Sequence, residues 1–276
     1  MSKAICGLSR GLPLAIAALL GLASAAQGQP IVNPSFEDNG GSYGPAWYLA
    51  GNASVESVGT LFEGASGAPW KTATDGTWAA MLQTNNGGTG QSSSNVVNAA
   101  ALETFLGQAP GFLTGSGYVN GSGIKQTFTA LAGSTLKFDA NFLTNELSNG
   151  NQDAGFAYLF STPFNSPSVL LGTIALGTPS GAANATDPLN AIFPNGTETL
   201  YQLGLSFGPA DFASDGTYAV AFAIYNKTNG LNDSAVTIDN LSLTPSAVPL
   251  PAGVWAGLIG MALSLAVGLR MRRAQA

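Results

Sequence analysis

The sequence predicts an all-β protein: a single antiparallel β-sandwich of jelly-roll type with one short helix, flanked by an N-terminal signal helix and a C-terminal transmembrane helix. Glycine, asparagine, serine and threonine separate many short apolar runs, which is typical of strands joined by turns. Residues 135–142 alternate apolar and polar side chains, as a strand with one buried face does. Neither a repeat nor a long linker divides the part of the chain between the two terminal segments. This part has about 220 residues, which is enough for one hydrophobic core.

Several segments are predicted as strands, and the clearest pattern also assigns the two faces of its strand. The core-facing side chains of residues 135–142 are predicted to be Leu136, Phe138, Ala140 and Phe142. The solvent-facing side chains of the same segment are predicted to be Lys137, Asp139 and Asn141. Further strands are predicted at residues 124–130, 155–160, 169–176, 199–207 and 218–225.

Three segments carry more detailed predictions. In residues 218–225 large and small side chains alternate, so Val220, Phe222 and Ile224 are predicted to fill the core, with Ala219, Ala221 and Ala223 beneath a second layer or a thin cover. Residues 236–243 change parity, which predicts a β-bulge at Asp239 and Asn240. Residues 98–106 are predicted to be a helix, with Asn98 as its cap and Gly107 as its stop.

The N-terminus has the pattern of a secretory signal peptide at residues 1–28. The basic residues Lys3 and Arg10 precede a short apolar stretch at 12–26. Small residues lie at the end of this stretch and just after it, so cleavage is predicted between Ala25 and Gln29. The only cysteine, Cys6, lies in this segment, and the exported chain is therefore cysteine-free. The predicted domain is the β-sandwich at 29–247.

The C-terminal segment, 248–276, has three parts in a fixed order. Residues 253–269 are seventeen residues without a charge, about 25 Å long as a helix and thus a short membrane span. The basic end at 270–276 is predicted to keep to the cytoplasmic side by its charge. Its basic residues are Arg270, Arg272 and Arg273. Two prolines at 249 and 251 prevent a helix just upstream. A plain single-pass anchor is one interpretation.

The other interpretation is a resemblance to a sorting signal. Val248, Pro249, Leu250, Pro251 and Ala252, followed by the short apolar run and the arginines, resemble the PEP-CTERM sorting signal in its VPLPA variant. This resemblance implies export through the Sec machinery, removal of the leader by signal peptidase, a transient stay in the inner membrane of a Gram-negative bacterium, and cleavage near the motif by an exosortase-type enzyme. The product would reach the cell surface or the extracellular matrix.

Two segments at opposite ends of the domain resemble carbohydrate-binding-module and galactose-binding-like β-sandwiches. The segment from Asn33 to Glu37, with Trp47 soon after, is similar to their opening strand, and residues 236–243 are similar to their closing strand. In those modules a Glu and an Asp at these places often share a calcium ion, which implies a structural calcium site at Glu37 and Asp239. The alternative is that Glu37 caps a turn and Asp239 binds backbone at the bulge.

A second calcium site is predicted in a loop dense in carboxylates and amides, which are oxygen ligands that calcium prefers. A solvated turn is the alternative, because Asn and Asp favour turns for backbone reasons alone. The loop lacks the spacing of an EF-hand. Its side chains are Asn145, Glu146, Asn149, Asn151 and Asp153.

Composition excludes several classes of function. Once both ends are removed, four lysines face fifteen acidic residues, a net charge of −11, which repels nucleic acid. The chain has no histidine, so a histidine base and a Ser-His-Asp triad are excluded. The remaining lysines are Lys71, Lys125, Lys137 and Lys227.

The side-chain types suggest two kinds of glycan site. Aromatic residues near glycine-rich segments predict a platform for sugar rings, although core packing is the commoner fate of tryptophan in a sandwich. These aromatics are Trp47, Tyr48, Trp70, Trp78 and Tyr118. Asp139, Glu146 and Asp153 would supply a hydrolytic carboxylate pair, but nothing in the sequence brings two of them into one cleft, and no catalytic residue is predicted.

The sequence therefore predicts an exported, non-catalytic surface or matrix protein associated with exopolysaccharide or biofilm. The alternatives are a carbohydrate-binding module for exopolysaccharide and a secreted glycan hydrolase. No enzyme activity is predicted, and structural calcium is the one cofactor that the sequence suggests.

Overall fold

A computed structural model describes most of the predicted domain and little of either end. The chain divides into two compact units, Met1–Pro245 and Ser246–Ala276. The predicted signal peptide lies outside the described residues, as does the sorting motif. The described residues are 30–57, 73–84, 96–144, 153–161, 169–177, 191–192, 198–227, 234–246, 257 and 260–261.

The regular secondary structure in the described part of the first unit is almost wholly strand, together with one α-helix and two short 3-10 turns at Asp38–Gly40 and Thr114–Ser116. The helix is α1 (Ala99–Leu106). The strands are β1 (Tyr48–Ala50), β2 (Asn52–Ser57), β3 (Trp78–Gln83), β4 (Val97–Asn98), β5 (Asn120–Ala130), β6 (Thr135–Thr144), β7 (Ala154–Ser161), β8 (Val169–Gly177), β9 (Ala191–Ile192), β10 (Glu198–Phe207), β11 (Gly216–Asn226) and β12 (Ser234–Thr244).

The strands form two antiparallel sheets. In one, the order is β1-β5-β11-β7-β8, with β4 also paired to β5. In the other, the order is β2-β3-β12-β6-β10-β9. Strands that follow one another in the sequence often lie in different sheets, as in a sandwich with long crossovers. The predicted all-β antiparallel sandwich is confirmed.

The main core lies between the inner faces of the two sheets. Leu136, Phe138, Ala140 and Phe142 point into it, each at most 3% exposed, as the alternation predicted. Phe138 from one sheet meets Phe222 from the other edge to face, with ring centroids 5.0 Å apart. Such a pair adds about 0.5–1.5 kcal/mol to the free energy gained by burying the rings.

The prediction that Asp139 and Asn141 face solvent is wrong. Both lie on the outer face of their sheet, yet they are only 6% and 3% exposed. Asp139 accepts hydrogen bonds from the Gly204 N–H at 2.7 Å and from the Asn240 side-chain amide at 3.0 Å. An alternating pattern assigns a residue to a face, but it does not show whether another part of the chain covers that face.

A second apolar layer covers the outer face of the β11 sheet, as residues 218–225 predicted. Helix α1 packs there, over the small side chains Ala219, Ala221 and Ala223. The Asn98 side chain caps α1 by accepting the Ala101 N–H at 2.8 Å, and Gly107 ends it with φ of 71°. The predicted helix and both of its boundary residues are confirmed.

The predicted β-bulge is confirmed. The pairing of β12 with β6 shifts between Asp239 and Ser242, and Asn240 takes the left-handed backbone conformation with φ of 53°. The extra residue keeps Ile238 and Leu241 on the core side, at 0% and 4% exposed.

The segment predicted as an opening strand is not a strand. Residues 31–37 form bends and turns, and Asn33 and Phe36 have φ of 49° and 58°. The turn sends the Phe36 ring into the core, where it packs on Tyr43 and Trp47. The backbone of this segment still contacts the closing strand, because Leu241 donates its N–H to the Pro34 carbonyl at 3.1 Å.

Of the predicted transmembrane segment, 253–269, only residues 257 and 260–261 are described, and these are helical. Among the residues that the structure describes, no helix is both long enough and apolar enough to cross a membrane.

Candidate functional site

Glu37 and Asp239, which come from opposite ends of the domain, bind the same turn at residues 74–78. Asp239 Oδ2 accepts the N–H groups of Thr74 and Asp75 at 2.6 and 2.8 Å. Glu37 Oε1 accepts the N–H groups of Thr77 and Trp78 at 2.7 and 2.6 Å. The two carboxylates therefore hold the turn from both sides, which is the backbone-binding role that the sequence left as the alternative to calcium.

Calcium takes six to eight oxygen ligands, whereas Oε1 of Glu37 and Oδ2 of Asp239 each accept two backbone N–H groups in the structure. Within the described parts of the chain, no three His, Cys, Asp or Glu side chains are grouped so that they could hold a metal ion. The calcium site implied by the resemblance and the turn-binding alternative therefore predict opposite effects of a chelator on the stability of the protein.

Asp239 also lies opposite a second buried carboxylate. The register of β12 and β6 pairs Asp239 with Asp139, and Asn240 bridges them by donating its N–H to Asp239 and its side-chain amide to Asp139. Burial raises the pKa of Asp239, while the N–H groups of Asp75, Thr74 and Asn240 act in the opposite direction. Because its folded pKa is raised, ionisation of Asp239 costs the folded state free energy as the pH rises through that pKa.

We expect EDTA to leave the thermal midpoint of the protein unchanged, because N–H donors satisfy Glu37 and Asp239 without an ion. We expect Asp239→Ala to lower the free energy of unfolding by about 2 kcal/mol, since it leaves two N–H groups of the turn without their acceptor. Circular dichroism melting with and without chelator measures the first effect, and urea unfolding measures the second. Asp38→Ala, at an exposed aspartate nearby, is the control. A thermal midpoint that falls by several degrees in EDTA would contradict this expectation and support a calcium site at Glu37 and Asp239.

The second predicted calcium cluster is described only at Asp153. This carboxylate is fully buried and accepts the Thr84 hydroxyl at 2.7 Å and the Lys227 N–H at 3.3 Å. The other four members lie outside the described residues. They are Asn145, Glu146, Asn149 and Asn151.

The hydrolytic carboxylates are placed for structure rather than chemistry where they are described. Asp139 and Asp153 are at most 6% exposed, and backbone N–H groups bind both of them. The third acid, Glu146, is not among the described residues. General acid and nucleophile carboxyls must reach a substrate in an open cleft, and neither of the two described acids does so.

The predicted aromatic platform is corrected at Trp47. Its indole is 5% exposed, packs on Phe36 and Phe222, and donates its N–H to the Val32 carbonyl at 3.1 Å. A sugar ring cannot reach such a side chain. Trp78 is half-buried beside Gly41, where an added Cβ would lie 2.3 Å from the indole.

The remaining predicted aromatics differ in exposure. Tyr118 is half-buried against Tyr225, with ring centroids 5.1 Å apart, and Trp70 lies outside the described residues. Tyr48 is 59% exposed. Tyr48 is therefore the described member of the set whose ring is open to a ligand.

Tyr48 belongs to a small surface that also contains Lys125 and Phe105, and we call these three residues the Tyr48 surface. Tyr48 on β1 pairs directly with Lys125 on β5, so their side chains share one face of the sheet. The Lys125 ammonium lies 4.4 Å from the Phe105 ring centroid and 5.9 Å from that of Tyr48. It also donates to the Phe105 carbonyl at 2.6 Å. Burial lowers the pKa of Lys125 to about 8.

The sequence pattern predicts no role for Lys125 or Phe105. A signal was present, because Lys125 is a single charge within an otherwise uncharged strand from Asn120 to Ala130. Its pairing with Tyr48 joins residues 77 positions apart, which no local pattern shows.

Comparison with known protein families and with curated protein sequences found no match. The fold is similar to those of several solved structures at low identity. One is the adhesin domain of Lys-gingipain from Porphyromonas gingivalis W83, with 10% identity, a TM-score of 0.42, and coverage of 80% of this chain and 100% of the other. Another is a carbohydrate-binding module specific for non-crystalline cellulose, CBM28, with 12% identity, a TM-score of 0.38, and coverage of 79% and 96%.

A third similar structure is the Caldicellulosiruptor saccharolyticus module CBM27-1 in complex with mannohexaose, with 13% identity, a TM-score of 0.38, and coverage of 80% and 98%. All three TM-scores lie below 0.5, so these likenesses carry no argument about what this chain binds. The strand pairing of the chain itself shows that the protein is a two-sheet antiparallel β-sandwich.

Proposed function

We propose that the protein is an exported, non-catalytic component of the cell surface or extracellular matrix of a Gram-negative bacterium, associated with exopolysaccharide. The Sec machinery exports the precursor and signal peptidase removes residues 1–28. Residues 253–269 hold the precursor in the inner membrane, and an exosortase-type enzyme cuts it near residues 248–252. The matured β-sandwich is then released to the surface.

The observation that carries this proposal is the order of the C-terminal segment relative to the end of the fold. The last strand, β12, ends at Thr244, and the sorting motif begins four residues later at Val248. β12 is an interior strand, paired with β3 on one side and with β6 on the other. Cleavage at 248–252 would thus remove none of the described strands, and the released domain would keep both sheets.

The non-catalytic part of the proposal is supported by side-chain chemistry. The exported chain has neither histidine nor cysteine, which removes the commonest general base and the thiol nucleophile. Asp139 and Asp153 are held by backbone N–H groups in buried positions. Both acids have a structural use.

A double substitution, Pro249→Ala with Pro251→Ala, tests the sorting proposal in the producing organism. We expect the precursor to accumulate in the inner-membrane fraction, because the extended motif before the span is replaced by residues that favour helix. Immunoblots of membrane and released fractions measure the distribution. Pro245→Ala, a proline three residues before the motif, is the matched control and should be released normally. Normal release of the double variant would contradict processing at this motif.

Carbohydrate binding by the sandwich is the second candidate function, and the Tyr48 surface favours it. An exposed tyrosine ring beside a half-buried ammonium offers an apolar face and a donor, which are the two kinds of contact that a sugar makes. Binding to purified exopolysaccharide, measured by affinity electrophoresis, tests this function. No retardation by any polysaccharide, including that of the producer, would contradict it.

A further inference from the structure

We propose that the Tyr48 surface is a subsite for a neutral sugar residue of a polysaccharide chain. This inference rests on the proposed association with exopolysaccharide, and it adds the residues that bind and the class of sugar that they accept.

The Tyr48 ring projects into solvent from a strand whose backbone is held in the sheet. β1 is the edge strand of its sheet, and Tyr48 is paired with Lys125 through the strand ladder. With 59% of the residue exposed, most of the ring lies in solvent while the backbone is held. A tyrosine has only two side-chain torsions, so little conformational entropy is lost when a ligand settles on it. The flat C–H face of a hexose matches such a ring.

Lys125 is held in place beside the ring. Its ammonium donates to the carbonyl of Phe105, in the last turn of α1, where a positive charge is favoured by the helix dipole. The ammonium also lies over the Phe105 ring, within the distance of a cation–π contact. A lysine fixed in this way loses little further freedom when it donates to a sugar hydroxyl. Tyr48 and Lys125 thus present stacking and hydrogen bonding on one face.

The charge of the exported chain selects the class of sugar. Four lysines face fifteen acidic residues, so a polyanionic glycan meets repulsion as it approaches. A neutral chain meets no such barrier, and its binding should depend little on ionic strength. Contacts to hydroxyl groups and C–H faces do not require a net positive site. The one cation of the Tyr48 surface, Lys125, is already directed at the carbonyl and the ring of Phe105. The subsite is therefore assigned to neutral hexose residues rather than to uronic acids.

The test uses the protein isolated from its producer and two probes, a set of neutral hexose oligosaccharides and a set of uronate oligosaccharides. Isothermal titration calorimetry measures the affinities of wild type, Tyr48→Ala, Tyr48→Phe and Leu49→Ala. Leu49 is 48% exposed and follows Tyr48 on the same strand, so its side chain points to the opposite face. It is the matched control for a change in exposed apolar surface at this edge.

We expect the neutral probe to bind, Tyr48→Ala to weaken binding about 2- to 10-fold, and Tyr48→Phe and Leu49→Ala to bind as wild type does. Equal affinity of Tyr48→Ala and wild type would overturn the subsite and leave the polysaccharide association standing. Preference for the uronate probe would overturn the assigned class of sugar. If wild type binds neither probe nor the producer's own polysaccharide, the association itself fails. Melting curves of all variants confirm that each one is folded.

Discussion

Phe222→Ala lowers the free energy of unfolding by about 3–5 kcal/mol, the range measured for removal of a buried aromatic ring. Phe222 is completely buried on β11, and its ring contacts Phe138 from the facing sheet and Trp47 from the opening segment. Its removal leaves a cavity where three parts of the chain meet, and the aromatic pair with Phe138 is lost as well. Urea unfolding followed by tryptophan fluorescence measures the change.

Val169→Ala is the control for this substitution. Val169 is 61% exposed at the start of β8, and loss of an exposed side chain of this kind changes stability by about 0.5 kcal/mol or less. A cost below about 1 kcal/mol for Phe222→Ala would be too small for a fully buried ring. It would mean that the two sheets do not share the core described here.

Gly121→Ala is expected to prevent stable folding, or to cost more than about 3 kcal/mol. An added Cβ at Gly121 would lie 2.1 Å from the Ile224 carbonyl oxygen and 3.1 Å from a methyl group of Leu102. The first of these is backbone of the adjacent strand β11, which cannot move without breaking its pairing with β5. Thermal melting, or the yield of folded protein where no melt is seen, measures the effect.

Gly216→Ala is the matched control, because Gly216 also lies in a strand of the same sheet. An added Cβ there meets only the edge of the Tyr218 ring at 4.0 Å, which is an ordinary contact. We expect this variant to be as stable as wild type or slightly more stable, since alanine restricts the unfolded chain. Equal stability of the two variants would show that α1 and β11 do not approach Gly121 as closely as the structure has them.

Local pattern predicts much of this fold because its strands and helix have regular periods. The helix at residues 98–106, the bulge at Asp239 and the two layers on either side of β11 follow from side-chain spacing alone. The segment from Asn33 to Glu37 does not follow. Its shape is set by two residues in the left-handed conformation, and sequence periodicity carries no signal for that.

The candidate site was less accessible from the sequence because its contacts join distant residues. Glu103 in α1 shows the same difficulty outside the candidate site: it is 3% exposed and accepts the N–H groups of Gly111, Leu113 and Thr114. Those bonds, led by that from Thr114, lower the pKa of Glu103 despite its burial. A glutamate within a helix gives no hint of a loop that will fold over it. The pairing of Lys125 with Tyr48 also joins residues that are distant in the sequence. So do the hydrogen bonds that Glu37 accepts from the N–H groups of Thr77 and Trp78.

The structure also shows what the residues of the predicted metal and glycan sites contact. Glu37 and Asp239 do meet, as the resemblance to sandwich modules implied, but they meet through a turn of backbone N–H groups. Among the predicted aromatics that the structure describes, Tyr48 is exposed, whereas the Trp47 ring belongs to the core. Glu37 and Asp239 thus hold a turn, and Tyr48 faces solvent at a sheet edge.

The central claim is that the protein reaches the surface as a trimmed β-sandwich. Intact-mass spectrometry of the protein released from the cell surface tests it most directly. We predict a mature N-terminus between residues 25 and 29 and a C-terminus near residues 248–252, with residues 253–276 missing from every released molecule. Released protein that retains peptides from 253–276 would contradict the account.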